Sequence, residues 1–167
     1  DPRDVDVLFL THLHGDHWLD LVPLAHVRRH HPDGRVPPPL AVCAPSAGRD
    51  RITGAFGGAS LDDVFDFRAP ADGAVGPFAV RVVRTAHPVE TYAVRVETRG
   101  RALVYTSDTG WFTGLADFAR AADLLLAEAG FADDADNPSG VHLTATQTGE
   151  LARTANVGRL VVTHVAP

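Results

Sequence analysis

Four side chains able to bind a metal ion lie within six residues near the start of the chain. They are His12, His14, Asp16 and His17 in the stretch HLHGDH. Zinc takes imidazole nitrogen and carboxylate oxygen ligands at about 2.0–2.2 Å, and a catalytic site keeps one position open for water. Three of these donors suffice for one ion, whereas the use of all four favours a second ion with ligands from elsewhere. Gly15, in the middle of the stretch, predicts a tight turn of the backbone.

Three more candidate ligands each follow an apolar run that is typical of a β-strand. His87 follows FAVRVVRTA, Asp108 follows ALVYTS and His164 follows RLVVT. These side chains share one rim with the first stretch if the strands run in the required directions. The sequence therefore predicts a metal centre with the candidate ligands His12, His14, Asp16, His17, His87, Asp108 and His164.

Strands and helices alternate along the chain, and most of the predicted strands are apolar on both faces. The first strand leads into His12, and helical spacing begins at Asp16. Later strands are predicted at residues 40–44, 64–67, 78–85, 92–97, 102–106, 123–127 and 159–164, and helices at 45–56, 115–120 and 144–155. Turns are predicted at Asp72-Gly73 and Arg99-Gly100. The pattern predicts an α/β fold in which helices cover buried sheet.

The composition narrows the class of partner. The 167 residues carry a net charge of −6, and all fifteen basic residues are arginines scattered along the chain. Extended nucleic-acid binding usually needs a basic stripe and is not predicted, whereas a small phosphate-bearing ligand remains open. No apolar run approaches the roughly 20 residues of a membrane helix, and the single Cys43 cannot form an internal disulfide. We therefore expect a soluble, cytoplasmic protein without a membrane partner.

The order of the candidate ligands is similar to that of a known superfamily. HLHGDH resembles the HxHxDH signature of the metallo-β-lactamase superfamily, and His87, Asp108 and His164 match its later ligands in order. The resemblance implies a four-layer αββα sandwich, with residues 1–167 forming one domain. It also implies two zinc ions, with manganese or iron as alternatives. His12, His14 and His87 would bind the first ion, Asp16, His17 and His164 the second, and Asp108 would bridge both.

The start of the chain differs from this family pattern. The chain begins at the strand that leads into the metal ligands and contains no methionine. Members of the superfamily begin with strands upstream of this point. We therefore expect a chain that lacks its N-terminal strands, and its end three residues after His164 leaves a C-terminal truncation open as well.

Three stretches resemble one branch of the superfamily, that of ribonuclease Z and related cyclic-nucleotide phosphodiesterases. They are HPVETYAVRVE, SDTG and HLTATQTGELA. In that branch the histidine of an H-x-T element acts on the leaving oxygen, which implies that His142 is a catalytic proton donor. Asp16 would also be catalytic, by orienting the attacking water or holding its proton. As an alternative, His142 simply caps the helix that begins at Thr144.

The spacing between two candidate ligands bears on the substrate. Ribonucleases Z that process tRNA carry a long arm between the equivalents of His87 and Asp108, where this chain has only the twenty residues 88–107. The resemblance therefore favours a phosphodiesterase that acts on a small diester such as a 3′,5′-cyclic nucleotide. The alternatives are a ribonuclease Z-like endoribonuclease, a thioester or lactam hydrolase of the same superfamily, and a metal-binding remnant without turnover. A homodimer is among the assemblies that the resemblance implies.

The remaining histidines and the cysteine have structural explanations. His26, His30 and His31 lie on a predicted helix and its end, where cations are favourable. Cys43 is expected to pack as a small hydrophobic residue. Two roles stay open for Glu128, which follows a predicted strand: a partner that orients His142, or a charge at the strand end.

Overall fold

The first seventy residues are built on a three-stranded parallel sheet. The computed structural model describes residues 1–34, 37–134 and 136–165, and the chain forms two compact units, Asp1–Pro70 and Ala71–Pro167. The sheet of the first unit has the order β1 (Val7–Phe9), β2 (Leu40–Cys43), β3 (Phe65–Arg68). Its helices are α1 (Gly15–Trp18), α2 (Leu21–His30) and α3 (Gly48–Ala55), and a short 3₁₀ helix covers Pro2–Asp4.

The core of the first unit joins the sheet to the helices. Leu40 and Val42 are buried on the central strand β2. Leu21 and Ala25, four residues apart on α2, lie on one helix face and are buried in the same cluster. Trp18 also belongs to this cluster, so α1 is anchored in the core directly after the candidate ligands of HLHGDH.

The second unit contains a six-stranded mixed sheet. Its strands, in spatial order, are β4 (Gly73–Val75), β5 (Phe78–Arg84), β6 (Tyr92–Thr98), β7 (Arg101–Tyr105), β8 (Leu124–Ala129) and β9 (Leu160–Val165). The neighbours from β4 to β7 are antiparallel, whereas β7, β8 and β9 are parallel. Helices α4 (Leu115–Ala119) and α5 (Ala145–Thr154) pack on the core of this unit through Leu115, Phe118 and Leu151.

This topology directs four strands of the second unit to one edge of the sheet. Strand β5 is antiparallel to β6, and β6 is antiparallel to β7, so β5 and β7 run in the same direction as β8 and β9. His87, Asp108, Glu128 and His164 lie at or just after the carboxyl ends of these strands. The strand directions that a shared rim requires are therefore present within this unit.

Two predicted boundaries were wrong. Gly73 begins strand β4, and the chain turns instead at Gly76, which has a φ of +54°. A three-residue strand shows no alternation of its own and is defined by its pairing with residues 78–80. Strand β8 extends to Ala129, so Glu128 lies within it. The strand predicted at residues 159–164 is present as β9, with His164 inside it as predicted.

The elements of both units confirm the α/β class. The helices predicted at residues 45–56, 115–120 and 144–155 are present with somewhat shorter bounds. No helix in the described part of the chain is long and apolar enough to cross a membrane. That residues 1–167 form a single domain stays a prediction.

Candidate functional site

Two histidines of the first unit, His14 and His17, each lie in contact with His12. The ring centroids of His12 and His14 are 4.8 Å apart, and those of His12 and His17 are 4.1 Å apart. Asp16 joins this group because its Oδ2 lies 3.3 Å from Nε2 of His17. His12 is fully buried. The stretch HLHGDH thus brings His14 and His17 against one buried imidazole, with Asp16 beside His17.

The start of α1 produces this arrangement. His14 is extended at the N-cap position, and Asp16 and His17 follow within the short helix. Gly15 belongs to the helix and is not among the glycines with positive φ, so a conformation restricted to glycine does not make the bend. A Cβ at Gly15 would only come into ordinary contact with Leu19, at 3.4 Å. The first helical turn provides the change of direction that was predicted for Gly15.

A backbone carbonyl orients His87 in the second unit. Nδ1 of His87 lies 2.8 Å from the carbonyl oxygen of Val141, so this nitrogen donates and Nε2 keeps its lone pair. The preceding residue is fixed as well, because Gly110 donates its N–H to the Ala86 carbonyl at 2.7 Å. A hydrogen bond of this kind fixes the tautomer and the ring orientation, and it is typical of histidines that bind metals.

Asp108 is a buried carboxylate at the carboxyl end of β7. Its side chain is 2% exposed, and its Oδ2 lies 3.6 Å from Nε2 of His164. Ser107, directly before it, has a φ of +54°, which is uncommon for a residue with a side chain. A buried carboxylate is costly unless it is paired or binds a metal, and strained backbone collects at functional sites. Burial and backbone conformation therefore both fit a ligand position.

His164 lies at a bulge in β9. The register with β8 pairs Glu128 with Thr163 and Ala129 with Val165, so it skips His164, whose φ is +51°. Bulges re-aim a side chain and occur next to active sites. The bulge explains how a residue inside a strand reaches the sheet edge where Asp108 lies.

Glu128 holds His142 in place. Oε1 of Glu128 lies 2.9 Å from Nδ1 of His142, and the glutamate is 1% exposed. Glu128 is itself fixed, since it accepts the backbone N–H of Thr109 at 2.6 Å and that of Gly130 at 2.8 Å. A Cβ on Gly130 would lie 2.9 Å from Cγ of His142, so the ring needs a glycine here. Of the two roles left open for Glu128, the contacts favour that of a partner of His142.

The helix after His142 is capped by Thr144. Oγ1 of Thr144 accepts the Gln147 N–H, and Oε1 of Gln147 accepts the Thr144 N–H. This capping box accounts for the start of α5, so His142 is not needed as the cap.

Loss of this cap has a measurable effect. We expect Thr144→Ala to lower the free energy of unfolding by about 1 kcal/mol, because one N-terminal N–H of the helix loses its acceptor. Urea denaturation measures the change, with Thr154→Ala at the exposed end of α5 as the control. An equal effect of both substitutions would contradict the capping role.

Three donors of the second unit come close together. One ligand atom from each of Asp108, His142 and His164 lies within 4.8 Å of the other two. The ring centroid of His87 lies 5.3 Å from that of His142. A carboxylate oxygen with imidazole nitrogens is a donor set that zinc, manganese and iron accept. The residues present therefore fit a metal ion, and the HLHGDH group of the first unit offers the same chemistry.

Three residues that position these side chains were not predicted. They are Thr109, Gly130 and Val141, which act through a backbone N–H, the lack of a side chain and a carbonyl oxygen. Backbone donors and acceptors leave no mark in a sequence. Of the three, only Gly130 could have been found from the sequence, since a glycine directly after an apolar strand indicates a close approach of other atoms.

The residues given structural explanations have local contacts of their own. His26 and His30 lie on α2 with ring centroids 4.9 Å apart, and His31 pairs with Asp33 at 3.1 Å. Cys43 lies partly buried in β2, and burial raises the pKa of its thiol. A protonated, partly buried thiol agrees with the packing role expected of it.

Comparison with known proteins decides the family. Residues 1–165 match the family model of the β-lactamase superfamily domain. The chain belongs to the metallo-β-lactamase superfamily. Among the relatives of this superfamily member, a protein of Mycobacterium leprae is 38% identical over 176 residues, covering 100% of the chain and 61% of that protein. The ribonuclease Z of Nocardia farcinica is 27% identical over 216 residues, covering 96% of the chain and 70% of that protein.

A solved structure supports the same fold for this metallo-β-lactamase superfamily chain. The crystal structure of the metallo-β-lactamase fold protein YhfI from Bacillus subtilis superposes with a TM-score of 0.83 at 27% identity, covering 98% of this chain and 66% of that one. The predicted fold family is confirmed. The chain spans about three-fifths of the length of its M. leprae relative.

Proposed function

We propose that this superfamily member is a metal-dependent phosphodiesterase acting on a small diester such as a 3′,5′-cyclic nucleotide. The observation that carries the proposal is the Glu128-held imidazole of His142 beside Asp108 and His164. An alkoxide leaves phosphorus poorly unless it receives a proton, whereas a thiolate leaves readily without one. A positioned proton donor next to metal-binding groups therefore favours a phosphate ester over a thioester.

The proposed metal ligands follow from the family pattern. In this proposal His12, His14 and His87 would hold one ion, Asp16, His17 and His164 would hold a second, and Asp108 would be a ligand of both. The ions are zinc in this proposal, with manganese or iron as alternatives. When bound, such ions polarise a phosphoryl oxygen and make a nearby water more acidic.

The chain's own residues move the protons. Glu128 holds Nδ1 of His142, so the proton that moves is the one at Nε2. In the proposed step, His142 gives this proton to the oxygen that leaves phosphorus, while the Glu128 carboxylate keeps the ring in place. Asp16, with a side chain that is 66% exposed, is proposed to orient the attacking water or to take its proton.

The segment between His87 and Asp108 supports a small substrate. Strands β6 and β7 pair from Val94 with Tyr105 to Thr98 with Arg101, and only the turn at Arg99-Gly100 joins them. A tRNA-binding arm of the kind found in ribonuclease Z has no counterpart in this hairpin. The net charge of −6 also disfavours an extended nucleic-acid surface.

A second candidate function is cleavage of RNA 3′ ends. The 27% identity to the ribonuclease Z of Nocardia farcinica over 96% of this chain favours it. The homodimer and the cytoplasmic location stay predictions.

Parallel assays separate these functions. The zinc-loaded chain is offered 3′,5′-cyclic AMP, a precursor tRNA with a 3′ trailer, a thioester and a β-lactam. We expect hydrolysis of the cyclic nucleotide with the highest kcat/KM of the four. Cleavage of the precursor tRNA alone would replace the proposal by the ribonuclease, and hydrolysis of only the thioester or the lactam would overturn it. Bound zinc without turnover of any substrate would favour the remaining alternative, a metal-binding protein without catalytic activity.

A further inference from the structure

An exposed tryptophan lies beside His142 in the second unit. Trp111 is 43% exposed, whereas Trp18, the other tryptophan of the chain, is 7% exposed and belongs to a core. Both Trp111 and His142 line a cavity of about 250 Å³. A large aromatic ring at the wall of a cavity, next to a group proposed to act on substrate, is typical of a binding surface.

One backbone contact and one side-chain hydrogen bond fix two walls of this cavity. A Cβ on Gly110 would lie 2.7 Å from Cα of Gly140, so the segment that carries Trp111 packs backbone to backbone on the loop opposite. On that loop, the side-chain N–H of Asn137 donates to the Ala132 carbonyl at 2.6 Å. These two contacts hold the segment of Trp111 and the loop of Asn137 in place at the cavity.

The cavity wall also offers a hydrogen-bond donor and an acceptor. Gln147 uses its Oε1 to accept the Thr144 N–H, which leaves its amino group available as a donor. Asn137 uses its amino group for the Ala132 carbonyl, which leaves its Oδ1 as an acceptor. Proteins recognise a nucleobase by stacking on its face and hydrogen bonding to its edge.

We propose that this cavity is the subsite for the nucleobase of the substrate, with Trp111 stacking on the base. The inference rests on the proposed phosphodiesterase function and names the group attached to the phosphate. A volume of about 250 Å³ lies below the roughly 300–1,000 Å³ of pockets that enclose a whole drug-sized ligand. The cavity therefore takes one ring system, while the phosphate lies at its His142 end.

Two diesters with the same leaving group test the subsite. Thymidine 5′-p-nitrophenyl phosphate carries a base, and methyl p-nitrophenyl phosphate does not. We expect Trp111→Ala to lower kcat/KM for the nucleoside ester about 10- to 100-fold, mainly through KM, and to leave the methyl ester unchanged. Trp111→Phe keeps an aromatic face and is expected to restore most of the loss. Equal losses on both esters would overturn the subsite.

A binding measurement distinguishes failure of the subsite from failure of the phosphodiesterase function. AMP and ribose 5-phosphate are titrated separately while tryptophan fluorescence is followed, because Trp111 is the exposed reporter and Trp18 is buried. Quenching by AMP alone that is lost in Trp111→Phe supports the subsite, even where no diester is hydrolysed and the function itself fails. Equal responses to both ligands, no response to AMP, or quenching that persists in Trp111→Phe would overturn it.

Discussion

Asp108→Ala is expected to lose at least one metal ion per chain and to have no detectable hydrolase activity. Asp108 is 2% exposed at the end of β7, and its Oδ2 lies 3.6 Å from Nε2 of His164. Among the described residues, Asp108 is the carboxylate of the second unit whose ligand atom lies within 4.8 Å of ligand atoms of both His142 and His164. Elemental analysis of the purified variant measures the metal content, and Asp117→Ala on the exposed surface of α4 is the matched control.

The response of Asp108→Ala to zinc gives a second readout. A ligand that binds only the folded state stabilises it, by about 4 kcal/mol at a free concentration of 1,000 Kd. We expect zinc to raise the melting temperature of the wild type and of Asp117→Ala but to act weakly on Asp108→Ala. Full zinc content and full stabilisation in Asp108→Ala would contradict its role as a ligand.

The second large effect is expected at His142. His142→Ala should retain the metal content of the wild type and lose about 10²–10⁴-fold in kcat/KM, which is the usual contribution of a positioned proton donor. The loss should be larger for 3′,5′-cyclic AMP, whose alkoxide needs the proton, than for bis-p-nitrophenyl phosphate, whose phenolate leaves without help. His26→Ala, an exposed histidine on α2, is the control for loss of an imidazole.

Two outcomes would contradict the proton-donor role. His142 also lies close enough to Asp108 and His164 to be a ligand. Loss of metal in His142→Ala would therefore assign it to metal binding instead. An equal loss of activity on both diesters would show that the leaving oxygen does not need the proton of His142.

The candidate ligands could be predicted because they follow apolar strands, and strands of one direction end at the same edge of a sheet. His87 and Asp108 were placed in this way, and the directions of β5, β7, β8 and β9 agree with it. The capped helix after His142 was equally accessible, because Thr144 and Gln147 have the spacing of a capping box.

Features that depend on a distant partner were not accessible from the sequence. The bulge at His164 exists only in the register between β8 and β9. Strand β4 is defined by its pairing with β5, and the cavity at Trp111 depends on the contact between Gly110 and Gly140. Each of these features arises from a contact between separate segments of the chain, so no local sequence pattern indicates it.

Local conformation was predicted wrongly at Gly15 and at Glu128. Gly15 was expected to make a tight turn, but it begins α1, where its lack of a side chain is not required. Glu128 was expected after a strand, but β8 continues through it because its carboxylate is satisfied by Thr109, Gly130 and His142. A buried charge is costly without partners, and the sequence does not show the partners of Glu128. The predicted strand therefore ended before this residue.

The most direct test of a metal-dependent phosphodiesterase is hydrolysis of 3′,5′-cyclic AMP by one preparation of the chain in three states: as purified, after chelation, and after zinc is restored, with the zinc content measured in each. Activity is expected to disappear on chelation and to return as zinc binds, to a limit of two ions per chain. Hydrolysis that persists in the metal-free protein, or no hydrolysis with two zinc ions bound, would contradict this expectation.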